Sequence, residues 1–220
     1  MSIKETICAV RNSLSAARMT TYEAAAGVTG DDDPAALELY AWNAQVSAAL
    51  MAPLHICEVV VRNAVSDALE AVYGAAWPWS SNFELSLPAP ALGYSPRKDL
   101  QNARGHQTSA GKVVPELKFV FWQKMFTSRH DVRVWNAHLM RVLPNLDPGK
   151  PVSQLRQGIY DSLEEIRRLR NRIAHHEPIF TRNLSGDLQR IFALIELRCK
   201  VTSTWMMNNQ QASAIIARRP

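Results

Sequence analysis

Apolar residues recur at steps of three and four along LHICEVVVRNAVSDALEAVYG, the segment from residue 54 to residue 74. This spacing lines one face of an α-helix, whereas a half-buried strand would alternate at every second residue. The preceding stretch, from Pro34 to Met51, is just as helical, and Pro53 permits a kink or a new first turn between the two. Gly74 fits a helix stop. The stripe consists of Leu54, Cys57, Val61, Ala64, Ala68 and Val72.

Most of the remaining chain has the same helical character. Helices are predicted at residues 4–26, 131–143 and 152–176, and a last one begins after an N-cap at Ser185. The segment from Pro115 to Phe126, PELKFVFWQKMF, alternates like a strand. Its proline at a first helical turn and the lack of a partner strand favour a buried helix. The predicted fold is therefore an all-α bundle.

Residues 75–114 interrupt this pattern with the Trp77-Pro78-Trp79 cluster and further prolines. They are predicted to form an irregular insertion with room for a short helix around 96–104, and long loops of this kind often serve function. We expect one domain, with an N-terminal helix and loop over 1–33 and the bundle over 34–207. The tail, residues 208–220, is expected to fray.

The composition excludes several classes of protein. The chain has 220 residues, a net charge of +5 and 47% hydrophobic residues, which permits a real core and argues against disorder. The mild positive charge is compatible with nucleic acid, but on charge alone it favours an ordinary basic soluble protein. Three scattered cysteines suggest neither a disulfide framework nor a zinc site. No leader and no uninterrupted apolar run of roughly 20 residues is found, so we expect a cytoplasmic protein without a membrane partner.

The segment RNRIAHHEPIF, residues 170–180, does not look like an ordinary helix end. With Ile166 at the centre of the apolar stripe, Arg170 lies about 40° away, inside the apolar sector. Arg168 and Arg172 fall on the opposite side, as solvated charges should. A buried guanidinium cannot lose its charge, so it needs a carboxylate, a phosphate or a polar helix interface. The plainer alternative is that Arg170 reaches solvent or pairs with Glu165 or another acid.

Two adjacent histidines, His175 and His176, fall in the last turn of this helix, because the proline after Glu177 disfavours helical geometry there. Histidine is the usual general acid or base near neutral pH, although it also caps terminal carbonyls; we expect one histidine to cap and the other to be free. Arg170 and His175 are separated by about 140° on a straight helix. Either the helix unwinds before His175, or a second copy of the chain completes the site.

The sequence gives no sign of a metal centre or cofactor. His-His-Glu lacks the histidine pair at i and i+4 that binds zinc in H-E-x-x-H, and the cysteines are remote. There is no nucleophile elbow and no glycine-rich phosphate loop. We expect neither a metal nor a cofactor.

Arg170, Asn171 and His175 match the R-x4-6-H pattern of HEPN-domain proteins, and RNRIAHHEPIF resembles the signature of the Abi-like (abortive infection) family of bacterial proteins. The segments ALELYAWNAQVSAALMAPLHICEVVVRNAV and VPELKFVFWQKMF resemble two further signatures of that family. The resemblance covers about residues 10–200 but not the loop at 80–112. Cys57 and Val120 depart from the family pattern, and neither is in the proposed chemistry.

This resemblance implies a HEPN-like helical bundle that forms a homodimer and acts as a metal-independent endoribonuclease in phage defence. A toxin of this kind can have a cognate antitoxin or a phage trigger. Arg170 and His175 would be the catalytic pair, because an arginine fork suits phosphate oxygens and an imidazole moves protons. Asn171 would orient the histidine or the phosphate, and His176 and Glu177 are supporting candidates. Some HEPN proteins are inactive and only bind RNA or a partner protein, which is the main alternative; a purely structural bundle is the other.

A second polar cluster, Glu58, Arg62 and Asn63, lies on the helix that carries the first apolar stripe. Glu58 and Arg62 are spaced for an i, i+4 ion pair, which at a surface would contribute only about 0.3–0.5 kcal/mol. If this helix packs beside the motif helix, Glu58 would hold Arg170 or a histidine in place.

Overall fold

The computed structural model describes residues 2–28, 30 and 33–220, and within these residues all regular structure is helical, with no strand. The all-α prediction is confirmed. Short 3₁₀ turns and one π-helical turn separate some of the α-helices. In chain order the α-helices are α1 Ile3–Leu14, α2 Ala16–Ala26, α3 Ala35–Tyr73, α4 Ser81–Ser86, α5 Pro96–Arg104, α6 Ala110–Val113, α7 Phe119–Met125, α8 Asn136–Val142, α9 Val152–Ala174, α10 Leu184–Arg198, α11 Lys200–Asn208 and α12 Ala212–Ile216.

The centre of the bundle is α3, a helix of 39 residues. It contacts α2, α7, α8, α9, α10 and α12. The predicted stripe is buried from Leu54 to Ala68, whereas its last member, Val72, is only half-buried. Gly74 ends the helix as predicted. By length and composition α3 could cross a membrane, but the core helix of a bundle has the same properties.

Two of the predicted helix boundaries differ from those in the structure. Pro53 neither begins a new helix nor divides α3; it is buried inside one continuous helix, between core residues Leu50 and Leu54. The single helix predicted at 4–26 is instead divided at Ser15, which has a positive φ of 78°. The Ser15 hydroxyl accepts a hydrogen bond from the backbone N–H of Arg18 and so caps α2.

Residues 75–114 are less irregular than predicted. They contain α5, which is the short helix predicted around 96–104, and also α4 and α6, which were not predicted. They supply core residues such as Trp77, Phe83 and Leu100. Trp77 packs edge-on against Phe83 and Trp122. Buried aromatic side chains thus anchor the insertion to the core, which its proline-rich sequence did not indicate. The segment around 119–125 is the buried helix that was expected.

The helix predicted after Ser185 is α10, and its N-cap is Asn183 rather than Ser185. The helical stretch is interrupted at Cys199, which is the N-cap of α11. Beyond residue 208 the chain forms α12, whose carbonyl at Ile215 accepts a hydrogen bond of 2.7 Å from the indole N–H of Trp42. The guanidinium of Arg219 lies over the same indole ring.

A π-helical turn at Asp131–Trp135 changes the register of the segment predicted as one helix over 131–143. A π-turn adds a residue to the helical repeat, so the side chains before it rotate relative to those after it. One helix over this segment would place Val132, Trp135, Leu139 and Val142 on one face. Trp135, Leu139 and Val142 do face the core, whereas Val132 is 83% exposed.

This register gives a direct test by substitution. Val132→Asp should change the free energy of unfolding by less than about 0.5 kcal/mol, because the side chain is already in solvent. Leu139→Ala should cost about 2–5 kcal/mol, because it removes buried methyl groups. Urea denaturation of both variants checks this. A large loss for Val132→Asp would show that a continuous α-helix buries this residue.

Candidate functional site

The motif helix α9 presents its apolar stripe to the core as predicted, with Ile159, Leu163, Ile166, Leu169 and Ile173 buried. Arg170 lies at the margin of this stripe and is half-buried. Its guanidinium makes no hydrogen bond and no ion pair with any described residue. The alternative that Arg170 pairs with Glu165 or another acid is therefore not found, whereas the alternative that it reaches solvent agrees with its nitrogens, none of which is a buried atom without a partner.

The other four arginines of α9 all have partners. Arg156 binds Asp131, Arg167 binds Glu164, and Arg168 binds both Glu164 and Glu165. Hydrogen bonds from Arg167 above all, with help from Gln123, lower the pKa of Glu164 to about 2, so it stays ionised. Arg172 donates two hydrogen bonds to the carbonyl of Pro178. Arg170 therefore differs from its neighbours in having an uncompensated charge.

The helix ends in a turn made by backbone groups. His175 is the C-cap, and His176 takes the left-handed conformation, with a φ of 55°. The N–H of His176 bonds the carbonyl of Ile173, and the N–H of Glu177 bonds the carbonyl of Arg172. This is the Schellman pattern, in which the left-handed position is usually glycine. The prediction that a histidine side chain would cap the helix is wrong, because backbone N–H groups occupy those carbonyls.

The helix does not unwind before His175, whose N–H still bonds the carbonyl of Asn171 at 2.9 Å. Within one chain, Arg170 and His175 therefore leave the helix about 140° apart. The His175 imidazole is exposed and makes no hydrogen bond with a described residue. The arrangement in which the helix unwinds before His175 is therefore not found, and the arrangement in which a second copy of the chain completes the site stays a prediction.

Three contacts fix the chain that leaves the helix. Arg18 of α2 donates a hydrogen bond of 2.7 Å to the carbonyl of His176, and Arg172 holds Pro178. The buried Asn43 of α3 accepts a hydrogen bond of 2.8 Å from the N–H of Ile179. These contacts set where His175 stands relative to α2 and α3.

The supporting residues differ in their surroundings. Asn171 is half-buried and its side chain makes no hydrogen bond with a described residue, so it orients nothing in this state. Glu177 is exposed and lies 3.7 Å from Arg172. Two cations, Arg18 and Arg172, therefore lie beside the histidine pair, and Glu177 forms an ion pair with Arg172. The sequence predicted no role at the site for either arginine. Nothing in the sequence around Arg18 indicates its contact with the turn. Asn43 could have been noticed, because it is a polar residue at a position of the α3 helix that faces the core.

The second cluster does not form as predicted. Neither Glu58 nor Arg62 makes an ion pair or hydrogen bond within the described residues, and the Nε of Arg62 is buried without a partner. Asn63 is exposed. Glu58 is separated along α3 from Asn43, the residue that holds the motif turn, by about 22 Å of helix. The structure thus shows no contact by which Glu58 would hold Arg170 or a histidine.

No protein-family model, no curated protein and no solved structure matches this chain. The resemblance to the Abi-like family therefore stays a prediction based on the motif residues. Among residues 2–28, 30 and 33–220, no three His, Cys, Asp or Glu side chains are grouped in a way that could hold a metal ion. The expectation of a metal-free site also stays a prediction.

The turn at His176 gives a stability test that separates the two histidines. His176→Gly should raise the free energy of unfolding by about 0.5–1 kcal/mol, because glycine adopts the left-handed conformation without strain. The matched control is His175→Gly, which should lower it by a similar amount, because His175 has an ordinary negative φ of −92°. Chemical denaturation measures both. Equal losses in the two variants would contradict the left-handed turn.

Proposed function

We propose that this chain is an endoribonuclease that cleaves RNA without a metal ion, using Arg170 and His175 contributed by two copies of the chain. The observation that carries the proposal is that Arg170, a half-buried residue, has no counter-charge for its guanidinium on a helix where the other four arginines have partners. A cation in this position is stabilised by an anion from outside the chain, and a phosphate group suits the planar arginine fork.

The chemistry follows from the residue types. RNA carries its own nucleophile, the 2′-OH, which attacks the adjacent phosphorus while the bond to the 5′-oxygen breaks. An imidazole accepts the proton of the 2′-OH, and a second protonated group returns a proton to the leaving 5′-oxygen. His175 is exposed at the end of α9 and open to either role. Arg170 would stabilise the negative charge on the phosphate oxygens in the transition state. The products would be a 2′,3′-cyclic phosphate and a 5′-hydroxyl.

A two-fold dimer resolves the divergence of the two side chains. In a symmetric dimer the same surface of each copy meets its counterpart, so the end of one α9 can lie beside the other. Arg170 of one copy and His175 of the other would then face a single phosphate. Arg18 and Arg172, beside the histidine pair, would add positive charge for neighbouring phosphates.

The biological setting is proposed from the family resemblance alone. The enzyme would act in the bacterial cytoplasm as a toxin of an abortive-infection system, where RNA cleavage stops the growth of an infected cell. A cognate antitoxin or a phage component would control it. An inactive HEPN module that binds RNA or a partner protein is the alternative, and the cleavage assay separates the two.

The test is RNA cleavage by purified wild type in excess EDTA. Wild type should cut a mixed-sequence single-stranded RNA into fragments with 2′,3′-cyclic phosphate ends and should leave the all-2′-deoxy strand intact. Arg170→Ala and His175→Ala should each lower the rate by at least about 100-fold. Arg168→Ala and His106→Ala are matched controls, because both side chains are exposed and outside the proposed site, and they should cleave normally.

The other results are equally informative. Equal cleavage by wild type, Arg170→Ala and His175→Ala would remove the proposed site. Cleavage abolished by EDTA and restored by a divalent ion would show a metal-dependent enzyme. RNA binding by wild type without cleavage, together with normal growth of cells expressing it, would favour the inactive module.

A further inference from the structure

The loop before α5 and the end of α7 enclose a cavity of about 230 Å³ that is unrelated to the motif helix end. Pro88, Tyr94 and Pro96 form one side of it. Met125 and His130 line the other side, where α7 gives way to the following turn. The cavity therefore joins the insertion at 75–114 to the core of the bundle.

His130 is the histidine among the residues that line the cavity. It is only 3% exposed, and its ring nitrogens make no hydrogen bond with any described residue. Burial, with a further contribution from Arg129, lowers the pKa of His130 to about 4, so the imidazole is neutral near pH 7. A neutral imidazole has one N–H donor and one nitrogen acceptor. Neither ring nitrogen is among the buried side-chain atoms that lack a partner, so each keeps some accessible surface through which it can contact a ligand.

The other polar groups around the cavity already have partners. The Tyr94 hydroxyl donates to Asp99 at 2.8 Å, and the Thr127 hydroxyl donates to the carbonyl of Lys124 at 2.9 Å. The ammonium of Lys124 donates to the hydroxyl of Tyr160 and lies 5.3 Å from the centre of its ring. Lys124 keeps two further ammonium donors and the two hydroxyls keep acceptor lone pairs, but His130 is the one of these four side chains that makes no hydrogen bond at all with a described residue.

The shape and chemistry of the walls define the class of ligand. A cavity of about 150 Å³ is known to hold benzene, so 230 Å³ is large enough for two fused rings. The ring of Tyr94 and the sulfur of Met125 both favour contact with an aromatic ring. A ligand with many polar atoms, such as a sugar, would leave most of them unpaired against prolines and methionine.

We propose that this cavity is a binding site for a small aromatic molecule of one or two fused rings, with a single hydrogen-bonding group, such as an indole N–H, directed at His130. The ring would lie among Pro88, Tyr94 and Pro96, and its N–H would donate to the unprotonated nitrogen of the imidazole. This site is independent of the proposed ribonuclease chemistry and stands without it.

The test compares two probes of the same shape, indole and indene, by NMR titration of the full-length wild type at pH 7.5. Indole should bind saturably and about 5–10-fold more tightly than indene, which lacks the N–H. In His130→Leu this preference should disappear, with both probes binding alike. Leu92→Ser is the matched control, because Leu92 belongs to the same loop but is 90% exposed and does not line the cavity; it should bind as wild type does.

Several outcomes would overturn the proposal. The absence of saturable indole binding at millimolar concentration would show that the cavity holds only solvent. Equal affinity of wild type for indole and indene, or an unchanged preference in His130→Leu, would show that His130 is not the partner. Should His130→Leu fail to fold, as judged by circular dichroism, the comparison of the two probes on wild type still decides the question.

Discussion

The backbone turn that closes α9 is the constraint on which the candidate site depends. Two N–H groups, those of His176 and Glu177, bond the carbonyls of Ile173 and Arg172, and the helix therefore stays regular through Ala174. Contacts from Arg18, Arg172 and Asn43 then hold the following residues against α2 and α3. Because the helix cannot unwind while these bonds persist, the direction of every side chain from Arg170 to His175 is fixed by helical geometry.

The unpaired state of Arg170 follows from the distribution of acids around it. Glu164 and Glu165 are held by Arg167, Arg168 and Arg182. Asp187 is held by Arg182 and Arg190. The carboxylates along this side of the bundle are thus already engaged, and none pairs with Arg170. The nitrogens of the Arg170 guanidinium are not among the buried atoms that lack a partner, so the charge meets solvent at the margin of the apolar stripe. An incoming phosphate would supply the counter-charge that the chain does not.

The sequence predicted what depends on periodic apolar residues. The stripe from Leu54 to Ala68, the buried segment at 119–125 and the core face of α9 are all found as expected. The predictions failed where the local backbone conformation determines the direction of a side chain. The π-turn that exposes Val132 and the left-handed His176 depend on hydrogen bonds and tertiary packing that no residue pattern encodes. The helix after residue 208 was not predicted, because the residue that binds it, Trp42, lies some 170 residues earlier in the chain.

The candidate site was predictable in part for the same reason. The position of Arg170 in the apolar sector and the location of His175 at the helix end follow from spacing alone. The polar contacts do not, because Arg18 and Asn43 approach the turn from other helices. The expected support from Glu58 failed since packing, rather than sequence spacing, decides which parts of α3 and α9 meet.

The central claim is that the two groups act across two copies of the chain, and subunit mixing tests it most directly. Arg170→Ala and His175→Ala, each inactive alone, would be unfolded and refolded together, and RNA cleavage measured in EDTA. Half of the dimers would then contain one intact pair in trans, so activity should return to roughly a quarter of wild type. A mixture that stays as inactive as its components, beside a wild type that regains full activity after the same treatment, would contradict the claim.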